Sequence, residues 1–425
     1  MIDLLGLKHL EPISFDLDPD TETFIITCRS KGLEPPAGTR RNGAKEMDFR
    51  DFALRGIPAV LRVRRQRYIT NEGQTIYEEL PDIDATRRIT LRFLEHLQQE
   101  AVRRTFADAA LTNGVEETFV RRVFADYATS ELADYSFPMP RVLGMDETYL
   151  RKGYRFVLGD VENRRLLDMR STRVKSSLDE YVGALDDRHK VEVICQDMYD
   201  PYRRLGRRHF PKAIAVVDKF HVVKMANEAV EMIRRSINAE LSPADRVRLK
   251  GERKLLLMRH RDLKGKSLEK VEGWLEERRD LALAYWAKEA FYDIYDEQQR
   301  SHAEYAYDKW AASLPQEISH RFTPILTAMK RWRPYIFHYF EHPYTNAYVE
   351  SLNGLIGEMQ RLGRGYTFDI LRAKALLKFG PPRRAGEVRH YKFLPGANPF
   401  GVNGEVLDYG VGIDALVEVL RQGKF

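Results

Sequence analysis

The chain has 425 residues, 43% hydrophobic and 11% aromatic, which supports sizeable cores and argues against global disorder. Lys and Arg outnumber Asp and Glu by 69 to 63, a net charge of only +6, and no run approaches the roughly 18 apolar residues of a membrane span. Two cysteines, Cys28 and Cys195, exclude both a disulfide framework and a four-cysteine zinc site. The start, Met1-Ile2-Asp3-Leu4-Leu5, has neither a basic region nor a long apolar one, so the expectation is a soluble cytoplasmic protein with no membrane partner.

Residues 21–81 are mostly short extended runs. Segments 23–27, 49–54, 59–63 and 75–77 read as strands between Gly and Pro, predicting a β-rich module over residues 1–86. The period then becomes helical, with Leu91, Leu94 and Leu97 on one face. Residues 106–111, a turn at Asn113-Gly114, and a helix over 115–128 carrying Arg121 and Arg122 make a helix-turn-helix pattern within residues 87–135. A plain helical bundle gives the same pattern.

Val142-Leu143-Gly144-Met145-Asp146 reads as a buried strand, followed by strands at 154–158 and 166–169 and a helix at 176–185. Two further buried strands, 191–195 and 213–217, enclose a basic helical stretch. The order β-β-β-α-β-α-β predicts an antiparallel meander extended by parallel strands, as in a ribonuclease-H-like sheet, over residues 136–224. Residues 225–340 read as an all-helical insertion, and 341–380 as final core helices, one of them at 346–362. A tail at 381–425 includes an expected short helix at 413–421. The fold class is therefore α/β.

Basic residues cluster. Arg203, Arg204, Arg207 and Arg208 form one block, and segments 234–235, 246–253 and 259–261 supply others. Each alone is an ordinary solvated helix face; together they point to a polyanion partner.

Asp146 ends a buried strand, and Asp197 does the same after Val193-Ile194-Cys195-Gln196. Carboxylates at the ends of neighbouring strands repel unless a cation lies between them, which a divalent metal supplies. Either aspartate alone is also a common turn residue. In the helix at 346–362, Val349, Leu352, Ile356 and Met359 form an apolar stripe, whereas Asn346, Glu350, Asn353 and Gly357 share another face. That face can turn Glu350 inward towards a metal pair, with the two asparagines as hydrogen-bonding neighbours; a solvated Glu is the alternative. The histidines lack metal-ligand spacing. No Walker A loop, dinucleotide fingerprint or G-x-S-x-G elbow occurs.

Four motifs stand in order: Gly144-Met145-Asp146-Glu147, Gln196-Asp197-Met198-Tyr199-Asp200-Pro201-Tyr202, Val217-Asp218-Lys219-Phe220-His221-Val222-Val223-Lys224, and Asn346-Ala347-Tyr348-Val349-Glu350-Ser351-Leu352-Asn353. From about residue 20 to 380 the chain resembles the DDE-type transposases of bacterial insertion sequences, of the ISL3 group. The resemblance implies a catalytic triad of Asp146, Asp197 and Glu350 holding two Mg²⁺ ions, for which Mn²⁺ can substitute. Asp218 and His221 match a family motif of unassigned role, and with Asn346 and Asn353 they are candidate accessory residues. The partners implied are the element's terminal inverted repeats and target DNA, with Arg121 and Arg122 near bases or phosphates, the basic blocks along the backbone, and a homodimer pairing two ends. The competitors are a ribonuclease-H-like nuclease or junction resolvase, and a catalytically inactive DNA-binding descendant. The chain departs from the family's zinc ribbon: in Cys28-Arg29-Ser30-Lys31-Gly32 a lysine replaces the second ligand, and in Ile69-Thr70-Asn71-Glu72-Gly73 Ile69 and Glu72 replace thiolates. One soft ligand cannot hold structural zinc, so none is expected.

Overall fold

The computed structural model describes residues 7–31, 35–54 and 56–381; the helix expected at 413–421 lies outside them. Among the described residues no helix is long and apolar enough to cross a membrane. The chain divides into two compact units. One comprises the chain up to Phe49 with Ala59–Arg88, the other Arg50–Pro58 with Ile89–Pro381.

In the first unit, strands β1 (Leu10–Asp18), β2 (Thr23–Ser30), β3 (Thr39–Leu54) and β4 (Ile57–Thr70) lie in the order β1-β2-β4-β3, with β5 (Thr75–Tyr77) also on β4. A short β6 (Ile83–Asp84) follows. Strand alternation sends Ile26, Cys28, Phe49, Leu61 and Val63 to one face, where they form a core with Leu10, Leu80 and Ile83. Cys28 is fully buried there and its Sγ lies 3.6 Å from the Ile26 carbonyl, so it packs as a small apolar residue. The second zinc-knuckle position is an ordinary tight turn. The Gly73 amide donates to the Thr70 carbonyl at 3.0 Å, and Gly73 takes the positive φ of 80° that the turn requires.

The second unit opens with β7 (Ile89–Thr90) and three helices, α1 (Leu91–Arg103), α2 (Phe106–Asn113) and α3 (Glu117–Leu132). Thr90 and Thr105 cap α1 and α2, and Gly114 in the left-handed region ends α2. Then come β8 (Val142–Leu150), β9 (Gly153–Asp160), β10 (Arg165–Arg170), α4 (Lys175–Gly183), β11 (Val193–Gln196), α5 (Asp200–His209) and β12 (Ile214–Val217), the order expected from the sequence. The five strands form one sheet, β10-β9-β8-β11-β12. β10, β9 and β8 are antiparallel, and β11 and β12 add in parallel.

Helix α6 (Lys219–Ser236) runs unbroken through residue 224, where the sequence suggested a boundary. Its apolar face, including Val222, Ala226, Val230 and Ile233, continues into the core of the insertion. That insertion is all-helical: α7 (Pro243–Gly251), α8 (Arg253–Leu257), α9 (Lys266–Glu277), α10 (Arg279–Ile294), α11 (Arg300–Ser313), α12 (Gln316–Ser319) and α13 (Thr323–Phe337). The chain then returns to the sheet as α14 (Ala347–Leu362) and α15 (Phe368–Phe379).

Both faces of the sheet are covered. Leu143, Met145, Phe156 and Leu158 pack under α4 and α5 through Leu178, Val182, Tyr202 and Leu205. On the other face Val157, Leu166 and Met169 meet Val349, Leu352 and Ile356 of α14 and Ala375 and Leu376 of α15. Helix α15 also shares a core with α2 and α3, through Leu371 against Phe106, Val120 and Phe124.

Candidate active site

Two glycines decide how closely α14 approaches the sheet. Gly144 of β8 and Gly159 of β9 are direct cross-strand partners. A Cβ on either would stand 2.7 Å from Val349 Cγ2, and one on Gly144 also 2.7 Å from Asn346 Oδ1. The helix therefore lies on bare backbone. Its register is pinned at both ends of the contact: Asn346 Nδ2 donates to the Met145 carbonyl at 3.2 Å, and Asn353 Nδ2 donates to Asp146 Oδ2 at 2.8 Å. Glu350 sits between these asparagines, in the first turn of α14.

Asp146 is buried on β8, and its Oδ1 accepts from the Glu147 amide at 2.7 Å. Asp197 follows the last residue of β11, whose Gln196 pairs with Met145 of β8. Asp146 does not end its strand as the sequence suggested, because β8 runs on to Leu150 in its pairing with β9. The two aspartates therefore stand on adjacent parallel strands, one within and one just past the end. Each carboxyl is pushed up to about 7, first by burial; for Asp146 the next cause is the charge of Asp197, and for Asp197 those of Asp218 and Glu350. Burial, then Asp218, also raises Glu350. His221, in the first turn of α6, stands between two of these groups. Its Nε2 is 3.2 Å from Asp197 Oδ2 and its Nδ1 3.6 Å from Glu350 Oε1, the latter too long for a hydrogen bond.

Asp218 is fully buried and caps α6, its Oδ1 accepting from the Phe220 amide at 3.0 Å. Its Oδ2 accepts from the Asn346 amide at 3.2 Å. One carboxylate thus ties together the N-termini of the helices that carry His221 and Glu350. Asp218, His221 and Glu350 also offer possible ligand atoms within 4.8 Å of one another.

Several buried polar atoms here lack a partner: Asp197 Oδ1, His221 Nδ1, Asn346 Oδ1, Asn353 Oδ1 and both amide atoms of Gln196. A buried unpaired polar group costs roughly 1–3 kcal/mol. Crowded carboxylates with raised pKa values and unpaired oxygens form a hard, oxygen-rich donor set that fits Mg²⁺ or Mn²⁺.

The arginines noted in the sequence divide by environment. Arg121 pairs with Glu117 and lies 5.1 Å from the Phe106 ring and 5.8 Å from that of Tyr366, turned towards its own bundle. Arg122 is exposed. On α5, Arg203 pairs with Asp200 and lies 4.6 Å from the Trp332 ring, Arg208 donates to Asp179 at 3.2 Å, and Arg204 and Arg207 are exposed. Sequence reasoning passed over Arg173. It clasps Glu147, the residue after Asp146, with both carboxylate oxygens at 2.6 and 2.7 Å, and the Tyr202 hydroxyl donates to Glu147 at 3.3 Å. Alternation predicts that residues 146 and 147 face opposite sides of the sheet, but no local spacing announces a partner 26 residues on.

A family model described as "Transposase", of the DDE type in family ISL3, matches residues 143–375, and a "Helix-turn-helix domain of transposase family ISL3" matches residues 78–128. The transposases for insertion sequence element IS1557 from two strains of Mycobacterium tuberculosis, CDC 1551 and H37Rv, are each 25% identical over 274 residues. The aligned region covers 58% of this chain and 61% of those relatives, less than two thirds of their length. With a catalytic-domain match over more than half of its residues, and a helix-turn-helix match directly before it, the chain belongs to the DDE transposase family ISL3.

Proposed function

We propose that this chain is a transposase that binds the terminal inverted repeats of an insertion sequence and catalyses DNA strand cleavage and transfer. The observation that carries the proposal is that Asp146 and Asp197, on adjacent parallel strands, are each raised to about 7 by burial and by charges that include Glu350 of α14, the helix laid on the glycine pair. In this reading the sheet is ribonuclease-H-like, and those three carboxylates hold two Mg²⁺ ions. Bound by these carboxylates, such ions would supply Lewis-acid activation of the attacking oxygen and stabilisation of the leaving 3′ oxygen. The chain's own part is placement. Asn353 orients the Asp146 carboxylate, Asn346 fixes the height of α14, and Asp218 locks α14 to α6.

Asp218 is assigned chiefly as a positioning residue, because its two oxygens cap α6 and hold the Asn346 amide, although it also stands with His221 and Glu350 where ligand atoms lie within 4.8 Å of one another. His221 lies on the edge of the carboxylate group, where its imidazole faces Asp197 and Glu350. The helices α2 and α3 read DNA, the exposed Arg122, Arg204 and Arg207 meet phosphates, and two chains pair two element ends.

The test is strand cleavage on an oligonucleotide bearing the element's end, taken from DNA flanking the coding region, with Mg²⁺ or Mn²⁺ and with Ca²⁺ as a binding-only comparison. Glu350→Gln should keep the fold and end binding while losing cleavage. Glu358→Gln, on an exposed residue of the same helix, should cleave normally. Wild-type cleavage by Glu350→Gln would overturn the assignment.

A further inference from the structure

Beyond Asp146 and Glu147, β8 continues to Tyr149, which pairs across the hairpin with Tyr154 of β9. Both side chains face solvent, Tyr149 with 63% of its surface exposed and Tyr154 with 44%. Their rings meet edge to face with centroids 5.2 Å apart. Arg173 lies over Tyr154 at 3.8 Å, with Tyr199 5.4 Å away, while Glu147 grips its guanidinium. The hairpin turn is Arg151-Lys152, both at positive φ (49° and 62°), where Asn-Gly is the easy choice. Arg151 is occupied, its guanidinium donating to the carbonyls of Gly365 and Tyr366. Lys152 is exposed.

Most exposed aromatics are scattered singly and require no account. This group is different in three respects. Two rings are held by cross-strand pairing, a guanidinium lies over one of them, and the whole lies about 10 Å along β8 from Asp146. There the β8–β9 hairpin extends beyond β11, with Tyr149 on the face of Glu147 and opposite to that of Asp146. Aromatic faces beside fixed cations are what unpaired nucleic acid strands bind, because every base has a π-face and every linkage a negative charge. Duplex DNA hides its base faces in the stack and offers nothing to an open tyrosine ring.

We infer that Tyr149, buttressed by Tyr154 and Arg173, is a stacking platform for an unpaired base of a DNA strand that passes around the projecting β8–β9 hairpin from the carboxylate side, with Lys152 facing the adjoining phosphate. Tyr149 supplies the open ring. Arg173 covers one side of Tyr154 and, being neutralised by Glu147, acts by its planar surface more than by its charge. The inference rests on the transposase reading for its DNA partner, but its test requires no cleavage.

The experiment measures anisotropy of fluorescein-labelled oligothymidylate of about 12 nucleotides, and of a blunt duplex of similar length, with the full chain in EDTA. Tyr149→Ala should weaken oligothymidylate binding roughly 5- to 100-fold, the range of one lost base stack. Tyr149→Trp should restore it, and duplex binding should change less than about twofold for either variant. Oligothymidylate binding by Tyr149→Ala equal to wild type, or an equal loss for single strand and duplex, would overturn the platform. Should Tyr149→Ala fail to fold by circular dichroism, photocrosslinking decides with the unaltered chain. A 5-iodouracil strand should give an adduct on the peptide containing Tyr149 or Tyr154, and adducts confined elsewhere refute the inference. Asp146→Asn separates the two claims: it should bind oligothymidylate normally and fail to cleave. If it cleaves, the transposase site is wrong while the platform stands.

Discussion

Strands β8 and β10 of the same sheet each bury an aspartate to 4% exposure, yet the two carboxylates live in opposite electrostatic worlds. Asp168 on β10 is fully answered: its Oδ1 accepts from Arg372 Nε and its own neighbour's amide, both at 2.7 Å, and its Oδ2 from the Tyr181 hydroxyl at 2.7 Å. Asp146 on β8 accepts from an amide and from Asn353, with no guanidinium bond among the described residues, and the charges that raise it are those of Asp197 and Glu350. Equal burial with unequal compensation sets a structural acid apart from the one proposed to serve an external cation. A protein can tolerate an under-compensated cluster only where something else holds it in place. Here the glycine pair and Asp218 do so.

The largest expected effect breaks the comparison in two directions at once. Asp146→Asn should lower strand cleavage at least about a hundredfold while leaving stability unchanged or slightly higher, because a mutual repulsion is removed. Asp168→Asn should do the reverse, costing about 2–3 kcal/mol in urea unfolding since Arg372 loses its counter-charge, with cleavage per folded molecule little altered. Equal stability losses in the two variants would show that Asp146 is structural after all.

Gly144→Ala addresses what holds the cluster in place. Its Cβ would meet Val349 and Asn346 at 2.7 Å, so α14 must lift and carry Glu350 with it. A stability loss of about 1–3 kcal/mol is expected from overpacking. Cleavage should fall about a hundredfold further, as a displacement near 1 Å does to an aligned site. Cleavage and unfolding curves measured on one preparation check this, and a variant that cleaves normally would remove α14 from the argument.

A smaller effect lies in pH. Asp146 and Asp197 are raised from the ordinary 3.8 to about 7 in the folded chain. A raised carboxyl contributes stability that is complete below the unfolded value and is lost as pH climbs through the folded one. In EDTA the wild-type thermal midpoint should therefore decline relative to Asp146→Asn between about pH 4 and pH 7. Added Mg²⁺ should recover several degrees above pH 7 and little below pH 5, where protons compete for the same oxygens. Parallel midpoint curves for the two proteins would contradict the raised values.

Much of this site was legible in the sequence because it rests on local periodicity. The apolar runs into Asp146 and Asp197 and the narrow face of Asn346, Glu350 and Asn353 each follow from a period of 2 or 3.6, and the strand order followed from their sequence. But β8 continues past Asp146 to Leu150, because its polar stretch is paired with β9. What stayed hidden depends on distance in the chain. The clasp of Glu147 by Arg173 and the bridge from Asp218 to the Asn346 amide join residues far apart in sequence, and spacing carries no trace of either. The boundary that the sequence suggested at residue 224 falls inside α6 for a related reason: the helix's apolar stripe serves the sheet and the insertion alike, so composition shifts inside an unbroken helix. Cys28 shows the converse case. A knuckle-like string survives at a position whose side chain is simply core.

The smallest expected effect applies the same contrast to a pair of neighbouring arginines on α3. Arg121 is compensated, by Glu117 and by the rings of Phe106 and Tyr366, whereas Arg122 projects from the helix. Arg121→Ala should cost about 0.5–1 kcal/mol of stability through lost stacking and reduce DNA affinity only as far as it loosens the bundle. Arg122→Ala should leave unfolding unchanged and weaken binding to the element's end. If Arg122 meets a phosphate, all sequences weaken alike and the slope of log affinity against log salt falls by about 1; if it reaches a base edge, the end sequence alone loses roughly 1–3 kcal/mol. Gel-shift titrations at several salt concentrations distinguish these outcomes. Should Arg121→Ala be the variant that abolishes specific binding at unchanged stability, then its stacked position is exchanged for a base contact on DNA, and compensation in the free chain would not mark a residue as structural on this helix.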